Sequence, residues 1–84
     1  MYVCYLFEID FEGNKKSGSI RLKLPLIPRL GDDITVCLSS ENPVTISGVV
    51  KSVEMHCSVD KESDGLIPEA KELIWYIAVK KPEV

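Results

Sequence analysis

Apolar and polar residues alternate with a period of two along most of this chain, the pattern of strands with one face on a core and one in water. The clearest case is residues 19–24, where Ile20, Leu22 and Leu24 point one way and Ser19, Arg21 and Lys23 the other. Residues 2–11 alternate as well, but both sets begin apolar: Val3, Tyr5, Phe7, Ile9 and Phe11 against Tyr2, Cys4, Leu6, Glu8 and Asp10. Between these two strands, residues 12–18 carry Gly13, Asn14 and Gly18, which can take the positive φ that a hairpin connection needs. The aromatic set Tyr5, Phe7 and Phe11 is read as filling the core, because large rings carry the most apolar area to bury.

Pro25 and Pro28 remove backbone donors and end the second strand. Residues 25–30 should then run extended, with Leu26, Ile27 and Leu30 over one end of the core, before Gly31 and Asp32 turn the chain. A third strand follows over 33–38, with Ile34, Val36 and Leu38 inward, and the segment Ser39-Ser40-Glu41-Asn42-Pro43 closes it. Residues 44–59 are too long for one regular strand. Their apolar phase moves from even positions (Val44, Ile46) to odd ones (Val49, Val53, Met55, Cys57, Val59), and Gly48 at the change predicts a bulge or sharp bend. Residues 60–71 are polar and hold Gly65 and Pro68, which predicts a loop with at most one short helical turn near 68–72. The last strand, 73–79, is apolar on both faces: Leu73, Trp75, Ile77 and Val79 against Ile74, Tyr76 and Ala78.

Composition supports the same class. Nine Val and eight Ile stand beside two Ala, and β-branched side chains favour pleated sheets. With 84 residues one core is all the chain can build, so 1–84 is read as a single all-β domain. Five or six strands with a bent fourth fit a small closed barrel, which removes exposed edges where there are no helices to cover them. The stretch Leu24-Pro25-Leu26-Ile27-Pro28-Arg29-Leu30-Gly31-Asp32-Asp33-Ile34, followed by a strand, a short turn and a Val-rich strand, resembles small SH3-like barrels of uncharacterised bacterial and phage proteins. The resemblance implies an SH3-like barrel and carries no activity or site residue with it.

Three cysteines, Cys4, Cys37 and Cys57, form no disulfide framework and are read as small buried hydrophobes of a reducing compartment. There is no apolar run of about 18 residues and no secretory pattern at the N-terminus, so a cytoplasmic protein without a membrane partner is expected. Catalytic signatures are absent: there is no phosphate-binding glycine loop and no glycine-flanked serine, and His56 is the only imidazole. His56 and Cys57 are strand neighbours and point to opposite faces, with Cys57 expected inward. The acidic loop Asp60, Glu62, Asp64 and Gly65 resembles the start of a calcium loop, but the bidentate acid that should close it is Lys71. A solvated loop is the better reading, and neither an enzyme nor a cofactor is expected.

Charge is uneven. The net −3 opposes general nucleic-acid binding, yet residues 13–31 hold Lys15, Lys16, Arg21, Lys23 and Arg29 and no acid. Those five form a candidate anion or oligonucleotide patch. The two-faced apolar strands at either end of the chain suggest a surface formed by Tyr2, Leu6, Ile74 and Tyr76 for a protein partner or for self-association. The leading expectation is a non-catalytic interaction module or small subunit of a larger assembly; the alternative is an oligonucleotide-binding barrel using the basic hairpin.

Overall fold

The computed structural model describes residues 1–59 and 70–82. It is all-β, and the described residues form five strands: β1 (Tyr2–Ile9), β2 (Lys15–Leu24), β3 (Asp33–Leu38), β4 (Val44–Val59) and β5 (Ala70–Lys80). They form one sheet in the order β2-β1-β5-β4-β3. Neighbouring strands are antiparallel except β1 and β5, which run parallel from opposite ends of the chain. The sheet coils so that β4 packs across both β1 and β2. β2 and β3 are the two edges, and the 25–32 segment links them. Ala70, Lys71 and Glu72, where a helical turn was expected to end, already belong to β5.

The turns follow local chemistry. After β1 the Asp10 carboxylate accepts hydrogen bonds from the backbone N–H groups of Glu12 and Asn14, both at 2.9 Å, and Gly13 takes φ +85°. An Asp that bonds its own turn is what makes this residue common in such loops. Between β2 and β3 the Asp32 carboxylate accepts the Arg29 N–H at 2.9 Å. The backbone of Gly31 and Asp32 then bonds Val50, which docks the loop on β4. Leu26 and Leu30, expected over the core, are exposed instead, and only Ile27 in this segment is an apolar non-proline residue that is half-buried. Docking through backbone leaves those two leucines pointing outward.

The inner face holds one core of Cys4, Leu6, Ile20, Ile46, Val50, Ile77 and Val79, bordered by Leu22, Leu24, Ile34, Val36, Val44, Val53 and Trp75. This reverses the expected orientation of β1. Cys4 and Leu6 are fully buried, whereas Tyr5 and Phe7 lie half-exposed on the outer face and Phe11 is 69% exposed. In β4 the phase change falls at Lys51, where the ladder to β5 skips a residue between Val50 and Ser52. Val50 is therefore core, and Val49 lies only half-buried beside Asp33 and Lys80. Gly48 has a separate role: it lets the β4 backbone approach the Lys80 carbonyl.

Candidate binding surfaces

Two surfaces stand out, one on each face of the sheet. On the outer face, register places Arg21, Tyr5, Tyr76 and Glu54 in one row across β2, β1, β5 and β4. Ser19, Phe7, Ala78 and Ser52 form the next row, and Lys23 lies beside Val3. The rings connect along β1 and then across strands: Phe7 to Tyr5 at 5.9 Å, Tyr5 to Tyr76 at 5.3 Å and Tyr76 to His56 at 4.3 Å between centroids. Lys15 stands over this group, its Nζ donating to the Tyr5 hydroxyl at 2.6 Å and lying 4.8 Å from the Tyr5 centroid and 5.8 Å from that of Phe7. Farther along, the Lys80 Nζ lies 5.1 Å from the Phe11 ring. The hydrogen bond from Lys15, with a second from Ser19, holds the Tyr5 phenol below its ordinary pKa, because both donors favour the phenolate.

The five expected cations do not form one patch. Lys15, Arg21 and Lys23 line the outer face of β2, while Lys16 reaches Glu8 at 3.9 Å on the opposite side and Arg29 sits exposed in the loop after β2. Arg21 donates to the Glu72 carboxylate at 3.0 Å, and His56 lies 3.2 Å from Glu54. Glu72 and Glu54 are thus engaged by basic groups of the same face, while Asp33 lies exposed on it, across Val49 from Lys80.

The second surface belongs to the inner face. Beyond Val53, β4 and the start of β5 project from the core as an arm, and the molecule is correspondingly elongated at 54 × 30 × 22 Å. Met55 pairs with Trp75, Cys57 with Leu73 and Val59 with Ala70, which continues the inner apolar stripe beyond the core. There it is uncovered among the described residues: Met55 is 56% exposed, and Leu73, Val59 and Tyr2 are exposed as well. The Trp75 indole Nε1 at the base of the stripe is buried with no acceptor among the described residues. β3 pairs with β4 only from Val44 to Val49, and Gly31 and Asp32 bond Val50; no described residue pairs with that edge farther along.

The predicted interface set of Tyr2, Leu6, Ile74 and Tyr76 is divided by this geometry. Leu6 is core with 0% exposure, Tyr2 shares its inner face, and Ile74 and Tyr76 lie on the outer one. Neighbouring β1 and β5 each present two apolar faces, and only their mutual register shows which residues share a side. Of the cysteines, all free, Cys4 is buried as expected and desolvation raises its thiol pKa. Cys37 and Cys57 are exposed, because β3 is an edge strand and Cys57 lies on the arm. Tyr5, Phe7 and His56 were absent from the expected sites. The available signal was that Tyr5 and Tyr76 carry hydroxyls that a core must satisfy.

The calcium-loop candidates Asp60, Glu62 and Asp64 lie outside the described residues. Among the described residues, no group of three or more His, Cys, Asp or Glu could hold a metal, and no helix is long and apolar enough to cross a membrane. No family model, no curated protein and no solved structure matches this chain.

Proposed function

We propose that the protein is a non-catalytic interaction module that docks through its β4–β5 arm, and that the occupant of the arm is a second copy of the chain. The observation that carries this reading is the arm itself, which joins an apolar stripe to a backbone edge, neither of them covered by any described residue. A two-stranded ribbon is marginal alone, and an exposed strand edge is a template for another strand. The open edge of β4 spans residues 51–59, and its midpoint is Met55. Antiparallel pairing of two such edges about Met55 uses the whole stretch and keeps like faces together. It also sets Glu54 opposite the partner's His56, twice by symmetry, and Val53 opposite the partner's Cys57. Edges pairing about Glu54 would instead face two carboxylates. The contact is isologous, as closed dimers require. An SH3-like barrel type for the coiled sheet is part of the same proposal; it rests on the 24–34 stretch, which links the two edge strands as a loop.

Sedimentation over a concentration series tests it. The expected result is a monomer–dimer equilibrium that Met55→Glu shifts to monomer, since two carboxylates would meet across the symmetry axis. Met55→Cys, in a chain with Cys37→Ser and Cys57→Ser, should cross-link to a covalent dimer on oxidation, because directly opposed residues of an antiparallel pair lie within the Cα separation that a disulfide spans. A strict monomer at the highest soluble concentration, or a dimer indifferent to both changes, overturns the proposal.

A further inference from the structure

The outer face carries a second and independent inference. Its rings and cations are interleaved: Phe7, Tyr5, Tyr76 and His56 run diagonally across β1, β5 and β4, with Lys15 over the first two. Phe11 and Lys80 extend the same arrangement beyond the end of β1. Arg21 and Lys23 border it along β2. Half-exposed rings on a sheet offer flat faces to bases, and cations within a few ångströms meet the phosphates that connect them. We propose that this face is a stacking platform for single-stranded nucleic acid, centred on Tyr5 and Phe7.

The position of the acids locates the centre. Glu54, in the Tyr5 row, and Glu72, on the arm, are engaged by His56 and Arg21, and Asp33 lies exposed across Val49 from Lys80, whereas Lys15 and Phe7 share a row with none of these acids. At the hairpin, the Asp10 carboxylate is occupied by its own turn, and Glu12 accepts from the Asn14 side chain at 3.5 Å. The strand therefore follows β1 from Phe11 and Lys80 toward Lys15, Tyr5 and Lys23. A duplex would present its phosphates and hide its base faces, so the ligand class is a single strand, read by stacking and without a fixed sequence.

The test is fluorescence anisotropy with labelled oligo-dT and oligo-U of about 10 nucleotides, within the span that small stacking domains cover. The expected result is binding at low salt that falls with added salt at a log–log slope of about −2, as three phosphate contacts give on single strands. Tyr5→Leu and Phe7→Leu keep apolar bulk and remove the ring, and each should weaken binding roughly tenfold. Lys15→Glu with Lys23→Glu, both at the surface, should weaken it further without risk to the core. Arg29→Glu lies off this face and should leave affinity within about twofold, which separates the platform from a diffuse basic segment. A third probe, oligo-dU, compared with oligo-U tells ribose from deoxyribose chains, because those two differ in the sugar alone. No binding of any probe at low salt overturns the proposal, and so does binding that falls with salt but ignores the loss of both rings. Because Met55→Glu lies on the other face, its failure to alter the oligomer leaves this measurement unaffected.

Discussion

Gly48 sits where β4 passes the end of β5, and its φ of +149° belongs to a region that side chains rarely enter. A Cβ placed there would lie 2.5 Å from the Lys80 carbonyl oxygen and 2.7 Å from its carbon. Because those atoms are backbone, neither can swing aside. Gly48→Ala should therefore separate the strands and lower stability by more than the roughly 1 kcal/mol of a conformational penalty alone. Gly18→Ala, at φ +98° with open space around it, should cost only that penalty. Paired denaturant melts of the two variants check the contrast. Tyr5 gives a second residue-scale prediction. Its phenol is held low by the Lys15 hydrogen bond, so Lys15→Met should move one tyrosine titration, followed by ultraviolet absorbance, to higher pH. The sign for stability follows: the folded state releases this proton before the unfolded one, so stability rises with pH through that interval and levels off above the unfolded value.

Among the elements, β4 does two jobs that its length makes distinct. Its first half, through Val50, contributes Ile46 and Val50 to the core and pairs with both β3 and β5. Its second half carries the arm, where every residue from Glu54 to Val59 is exposed. Lys51 in the bulge divides them, shifting the inward set from even to odd positions so that Val53 and Met55 continue the inner face. Local opening follows burial, so amide hydrogen exchange should be slow at 46–50 and fast at 54–59 in the Met55→Glu monomer. In the wild-type protein at dimer-forming concentration, alternate amides of 52–59 should gain protection as the open edge is bonded. Equal exchange in the two proteins would place the second copy elsewhere.

For the whole molecule, stability rests on few side chains. Six residues are the largest that are fully buried, and Leu6, Ile46 and Ile77 lead them. Leu6→Ala should cost about 2–5 kcal/mol, the usual range for a buried leucine, and that is a large share of what so small a domain has. Phe7→Leu on the outer face should cost clearly less, because it leaves no enclosed cavity; thermal melts of both variants measure the difference. The parallel pairing of β1 with β5 joins the two ends of the described chain, from Cys4 beside Trp75 to Glu8 beside Val79. Contacts this distant in sequence make folding slow, since loop closure precedes any gain from the pairing. They also join the arm to the body, because β5 belongs to both.

Much of this was legible from alternation alone. The all-β class, the boundaries of β3, a hairpin between the first two strands and the inward set Ile20, Leu22 and Leu24 follow from a period of two with polar residues on one side and glycine or proline at the ends, although β2 begins at Lys15, inside the expected 12–18 loop. β1 and β5 did not resolve in the same way, since each is apolar on both faces and periodicity gives two faces without saying which one is inside. The parallel pairing of those strands decided it, bringing Leu6 beside Ile77 and turning Tyr5 beside Tyr76 toward water, where the Tyr5 hydroxyl found Lys15. The aromatic face and the arm both depend on that long-range register. Local sequence determines what each strand can bury; only the tertiary pairing determines which of its two faces meets the core.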